Sequence, residues 1–142
     1  MRIQEKITLK GRLQVFLNDE KVVDDENMVV DSGKAWAASM LGGIGQPVMK
    51  MKVGNNSSPP DLLQTTLLGD ILADLPLTNP GGDVYVNTIE FIATAQVGVA
   101  TGPVQEVGLF TAANLMVARK AFPVVNKGVT DIMSFIWTLT VI

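Results

Sequence analysis

Chemistry in this chain would have to come from serine, threonine, lysine, tyrosine, aspartate and glutamate, because its 142 residues include no cysteine and no histidine. Those two absences remove the usual thiol and imidazole nucleophiles, the commonest general base and the usual zinc ligands. Ser32 and Lys34 lie close together, but a Ser/Lys nucleophile needs Ser-x-x-Lys spacing, and Ser32 stands where a helix cap is wanted. Glu90 and Glu106 are the candidate carboxylate pair, of the kind that protonates a leaving group and activates water in glycoside hydrolysis. Each falls in a segment that reads as a strand, where one face is normally solvated, so neither is expected to be catalytic. The run Asp24-Asp25-Glu26-Asn27 crowds carboxylates as a calcium loop does. It lacks the glycine-hinged frame of such a loop and reads as a solvated turn. Gly42, Gly43 and Gly45 imitate a phosphate loop, but they follow a helix rather than a strand and no Gly-Lys-Ser/Thr comes after them. Trp36, Trp137 and the five phenylalanines are expected in the core rather than as a stacking platform for single-stranded nucleic acid. The inventory yields no catalytic residue, no cofactor and no metal ligand, and the chain reads as non-enzymatic.

Charge narrows the partners. Net charge is −3 and the pI is about 4.8, whereas nucleic-acid binding draws on a basic face that neutralises phosphates. No nucleic-acid partner is expected. Charged residues make up 18% and hydrophobic ones 47%, with a mean hydropathy of +0.30; ordinary soluble domains carry about a quarter charged residues. A chain so poor in charge is expected to have much of its surface covered by neighbouring subunits. Charge is also segmented. Residues 1–30 hold five Lys/Arg and six Asp/Glu, while from residue 53 to 118 there is no Lys or Arg. Asp61, Asp70, Asp74, Asp83, Glu90 and Glu106 all lie in that second stretch. Either it meets basic residues of another copy, or its acids sit singly on solvated turns. No run of about 18 apolar residues offers a membrane span, and the N-terminus lacks the apolar segment of a signal peptide.

The elements that must position these groups are mostly strands. Residues 3–9 and 12–17 alternate as strands, with a polar turn at 18–21 and Val22-Val23 pairing back. One good helix lies within residues 28–43, capped by Asp31 or Ser32, with Trp36 and Met40 on one face and Gly42 as its left-handed stop. Residues 48–53 form a short strand and 54–60 a loop. Residues 61–75 are expected as a second helix, with Leu62, Leu63, Leu67, Leu68, Ile71 and Leu72 apolar, although Thr65, Thr66 and Gly69 weaken it. Residues 84–97 read as one long strand, followed by strands at 104–110, 115–122 and 131–142, with a loop from 123 to 129. The last strand points Met133, Phe135, Trp137, Leu139 and Val141 one way. Left unpaired it would invite aggregation, so it is expected to be central or covered. Residues 1–142 fit one domain. The expected fold class is mainly β: a β-sandwich or jelly-roll-like single domain with one or two short helices.

The segment Gly102-Pro103-Val104-Gln105-Glu106-Val107-Gly108-Leu109-Phe110 resembles one that recurs in small virion structural proteins of tailed phages. Further matching pieces appear in order: Asn27-Met28-Val29-Val30-Asp31-Ser32-Gly33-Lys34, then Met51-Lys52-Val53-Gly54 with Pro59 and Pro60. The closing pieces are Leu115-Met116-Val117-Ala118-Arg119-Lys120-Ala121-Phe122, Asn126-Lys127-Gly128 and Trp137-Thr138-Leu139-Thr140-Val141. The resemblance runs from about residue 27 to the end, and the Glu106 to Phe110 element is also similar to the N-terminal module of tail-collar fibre proteins. It implies a β-sandwich-like virion component, made in the host cytoplasm. As its interaction or structural motif it singles out Glu106, Val107, Gly108, Leu109, Phe110, Arg119, Lys127 and Trp137. One departure concerns the acid and arginine usual after the Pro/Ala loop: here Gly69-Asp70-Ile71-Leu72-Ala73-Asp74 has the acid and no arginine. The first 26 residues lie outside the resemblance and are the candidate N-terminal attachment segment. With one short domain, no stalk and no coiled-coil heptads, the preferred position is capsid decoration. A cement protein on the capsid exterior would bridge major capsid subunits, as a homodimer or homotrimer. A tail-fibre or baseplate component, binding a receptor or glycan, is the other reading.

Overall fold

The computed structural model describes residues 8–27 and 29–142. Along them run β1 (Leu9–Leu17), β2 (Glu20–Asn27), α1 (Asp31–Leu41), β3 (Val48–Gly54), β4 (Ile71–Pro76), β5 (Asp83–Tyr85), β6 (Thr88–Ala95), β7 (Gly102–Thr111), β8 (Met116–Lys127) and β9 (Met133–Val141). The strands pair antiparallel into a five-stranded sheet, β2-β1-β9-β6-β5, and a four-stranded sheet, β4-β3-β7-β8. The two sheets pack as a β-sandwich in a single small domain, with a core between their inner faces.

Side-chain alternation builds that core. On β9, Met133, Phe135, Trp137 and Leu139 are buried, while Ser134, Ile136, Thr138 and Thr140 lie half-buried on the other face. β9 sits between β1 and β6, so its apolar pattern is covered on both edges. Register sets Leu13 and Phe91 on either side of Trp137, and Val15 and Ala93 on either side of Phe135. The facing sheet contributes Met51, Val53, Val107, Leu109 and Phe122. The Trp137 indole N–H donates to Asn27 Oδ1 at 2.8 Å, so the buried ring leaves no polar group unsatisfied. Gly11 makes room for this: a Cβ there would stand 2.0 Å from the same oxygen.

β7 breaks the alternation. Glu106, Val107, Gly108, Leu109, Phe110 and Thr111 are all buried, because both faces of this strand are covered. Val107 and Leu109 enter the main core, while Phe110 joins Val30, Leu67 and Met116 in a second cluster. Helix α1 contributes to that cover by lying directly on β8. A Cβ at Gly33 would stand 1.9 Å from the Val117 carbonyl oxygen, so only glycine permits the approach. The Ser32 hydroxyl donates to the Met116 carbonyl.

Several local expectations are corrected. Residues 61–75 form no helix: they run irregularly to Asp70 and then enter β4, which pairs with β3. Thr65, Thr66 and Gly69 hold little helical preference, and long-range hydrogen bonds capture the backbone there. Asp24 to Asn27 are not a solvated turn but the end of β2, paired with β1 from Gln14 to Gly11. The turn is Asn18-Asp19, with φ of 49° and 69° at two residue types that tolerate the left-handed region. The long strand at 84–97 is a hairpin, broken at Val86-Asn87. β8 runs on through Pro123 to Lys127, which an edge strand allows. β1 runs unbroken from Leu9 through Lys10 and Gly11, Thr8 lies just before it, and residues 3–7 of the expected strand lie outside the described residues. Neither Asp31 nor Ser32 caps α1: the N-cap is Val30, without a side-chain bond. Gly42 is right-handed at φ −77°, and Gly43 is left-handed at +74°. Val141 is exposed at the end of β9.

Candidate functional site

The residues singled out by sequence are interior. Glu106, Val107, Leu109, Arg119 and Trp137 are wholly buried, and Gly108, Phe110 and Lys127 are buried too. They hold the fold together and offer no contact surface.

Glu106 and Arg119 form its buried centre. They stand on adjacent strands, β7 and β8, and meet at 3.1 Å with neither side chain exposed. Glu106 Oε1 accepts from Arg119 Nε and from the Leu68 N–H at 2.9 Å. Its Oε2 accepts from the N–H groups of Asn56 and Gly69, both at 2.8 Å. Arg119 in turn donates to the carbonyls of Ser58 (2.9 Å) and Asn56 (3.1 Å) and to Gln64 Oε1 (3.4 Å). One ion pair thereby grips both ends of the irregular stretch from 55 to 70. Gly54 and Gly69 flank the carboxylate, where a Cβ would stand 2.7 Å from Oε2. With every carboxylate oxygen engaged and no solvent access, Glu106 has no lone pair to offer a substrate. Glu90 lies half-buried on β6 of the other sheet, so the two carboxylates are not brought together.

The acidic run on β2 is neutralised from three directions. Arg12 meets Asp24 at 2.7 Å and Lys21 meets it at 2.9 Å, while Lys120 meets Asp25 at 2.9 Å. The Lys21 and Arg12 hydrogen bonds hold the Asp24 carboxyl down at about 2, and the Lys120 bond lowers Asp25. Among the described residues no group of three or more acidic side chains is placed to hold a metal ion. At the opposite end of β8, Lys127 donates to the Gln96 carbonyl at 3.0 Å, and burial lowers its pKa.

The surface that stays open lies elsewhere. A groove of about 1160 Å³ runs between α1, the ends of β1 and β9, and the β5–β6 hairpin. Its apolar wall includes Trp36, Met40, Leu41, Leu62, Val84 and Val86. Trp36 is seated by its indole N–H, which donates to the Gln46 carbonyl at 2.7 Å. Leu41 is 81% exposed, Val84 72% and Val86 101%, with Ile44 81% exposed just past the helix. Val86 also holds φ +55°, a region that a β-branched residue rarely adopts. Asn87 anchors the hairpin: it accepts the Val141 N–H at 2.8 Å and donates through Nδ2 to the Val141 carbonyl at 3.0 Å. Sequence reasoning missed this site because Val84, Tyr85 and Val86 read as the start of a long strand. The available signal was Asn87, a turn residue interrupting that strand.

No family model, curated protein or solved structure matches this chain.

Proposed function

We propose that the chain is a non-enzymatic structural subunit that assembles with other protein subunits through the groove beside α1. The observation that carries this reading is the exposed apolar wall of that groove. Leu41, Val84 and Val86 along it, with Ile44 just past the helix, leave more apolar surface open than isolated surface hydrophobes would. Burying it against a partner removes apolar surface from water, at roughly 25 cal/mol for each Å². The low charge content of the chain supports the same reading. The ordered segments that resemble small tailed-phage virion proteins support a place in such a particle, with capsid decoration preferred. In that role the assembled subunits bridge major capsid subunits at many equivalent sites, each adding a modest free energy.

The test is to add the purified chain to phage particles lacking it and image them by cryo-electron microscopy. Density repeating over the icosahedral shell is expected. Density confined to the tail or one vertex would transfer the protein to the fibre or baseplate class. Failure of the chain to bind any part of the particle would overturn the reading.

A further inference from the structure

Among the described residues the sandwich has four outer strands: β2 and β5 in one sheet, β4 and β8 in the other. An open strand edge templates pairing with another chain unless something blocks it. β2 carries Glu20, Lys21, Asp24, Asp25 and Glu26, and its Asp25 is tied across the sandwich to Lys120 of β8. β8 carries Pro123 and β4 ends on Pro76, each lacking the N–H a ladder needs. β5 has no proline and no lysine, and all three of its residues are exposed. Its register with β6 pairs Tyr85 with Thr88 around a two-residue turn. The turn-closing pair is hydrogen-bonded in such a hairpin, so the next pair is not, and the Val84 N–H and C=O point away from β6. Among the described residues nothing takes up those two groups.

We propose that a second copy of this chain docks here, β5 against β5 about a two-fold axis at Val84, with the Val86 tip and the groove beside α1 covered by the same contact. The inference rests on the subunit-binding reading and names the partner. Charge supports self-pairing at this edge. In an antiparallel pair centred on Val84, Val84 faces Val84 and Asp83 faces Tyr85, so the two Asp83 carboxylates are kept apart. The groove is lined by Lys10 and Lys34 as well as Glu26. Both signs are needed where a surface must meet its own image. The contact also accounts for Val86, whose methyls face water in a strained backbone until a neighbour covers them.

Sedimentation equilibrium of the full chain tests this directly. Wild type is expected as a dimer. Val84→Lys sets two ammonium groups face to face and weakens dimerisation by at least about 10-fold. Its thermal melt is expected to stay within about 2 °C of wild type measured as monomer, since the Val84 side chain is largely exposed. Val84→Glu behaves likewise, and mixing the two variants restores a dimer, because residue 84 of one copy faces residue 84 of the other. A wild-type monomer at every concentration, a trimer, or a Val84→Lys dimer as tight as wild type would overturn the pairing. Particle binding separates the two readings. A chain that is monomeric yet binds particles sinks the dimer alone, whereas a dimer that binds no particle supports the pairing and sinks the virion reading.

Discussion

Two regions of this sandwich solve opposite problems. In one, the stretch from 55 to 70 has no regular structure, yet Glu106 and Arg119 satisfy its backbone from inside the protein. In the other, α1 and the β5–β6 hairpin are regular elements, but Leu41, Val84 and Val86 stay in water. The first spends a buried charge pair to make a loop rigid. The second leaves surface uncovered and keeps a strained valine at its tip. A buried ion pair is a poor source of net stability, but removing one partner is costly. An exposed apolar side chain contributes little to the monomer and much to a contact. The clamp is therefore where the fold is vulnerable, and the groove is where assembly is vulnerable.

The largest effects belong to the interior. Arg119→Ala leaves the Glu106 carboxylate buried without its counter-charge and is expected to cost about 3–5 kcal/mol. Limited proteolysis should then cut between residues 55 and 70 before the sandwich unfolds; a melt within about 1 kcal/mol of wild type would remove the clamp from this comparison. Trp137→Ala empties the centre of the core and is expected to cost about 3–5 kcal/mol in denaturant unfolding. At the groove the sign reverses. Val86→Gly relieves a left-handed β-branched residue and is expected to stabilise the monomer by about 1 kcal/mol, while weakening subunit binding. A destabilised Val86→Gly would place no strain at the tip. Leu41→Glu is expected to change stability by less than about 0.5 kcal/mol and to weaken subunit association at least about 10-fold, measured by sedimentation equilibrium. If binding persists, the groove is not the contact.

The smallest effect is on β2. Its two cationic neighbours hold Asp24 at about 2, below the ordinary 3.8. A carboxylate depressed in the folded state stabilises fully above its unfolded pKa, and that contribution disappears as pH falls through the folded one. Asp24 is thus expected to steepen the loss of stability between about pH 3.8 and about 2. Asp24→Asn should flatten that part of a melting-temperature profile, and about 1 M salt should flatten it too, because the pair is solvent-screened.

The fold was legible wherever one strand's own pattern decided its face. Residues 133–139 announce which side of β9 is buried, and 89–95 do the same for β6. The clamp was half-legible. Glu106 and Arg119 stood out within a resemblance to other proteins, but their pairing depends on register between β7 and β8. The groove was not legible, since it is assembled from α1, β5, β6 and the strand ends, which are remote in sequence. The helix expected at 61–75 failed for a related reason. Leu68 and Gly69 give their N–H groups to a carboxylate 38 and 37 residues away. No local window contains that competitor, so local propensity was weighed without it.

By itself, the sequence determined the mainly β class, the buried faces of the best-alternating strands, and the absence of cysteine and histidine chemistry. These follow from composition and from a period of two residues, both of which are properties of the chain alone. Only the tertiary structure decided that the Asp24 to Asn27 run is a strand, that Glu106 is a loop anchor rather than a surface acid, and that Val86 is an exposed tip. Each outcome depends on a partner distant in sequence: Arg12 and Lys120 for the acids of β2, Arg119 for Glu106, and β9 for the hairpin. Energies set by such partners exist only once the strands have paired, and for Lys120 and Asp25 only once the two sheets have met.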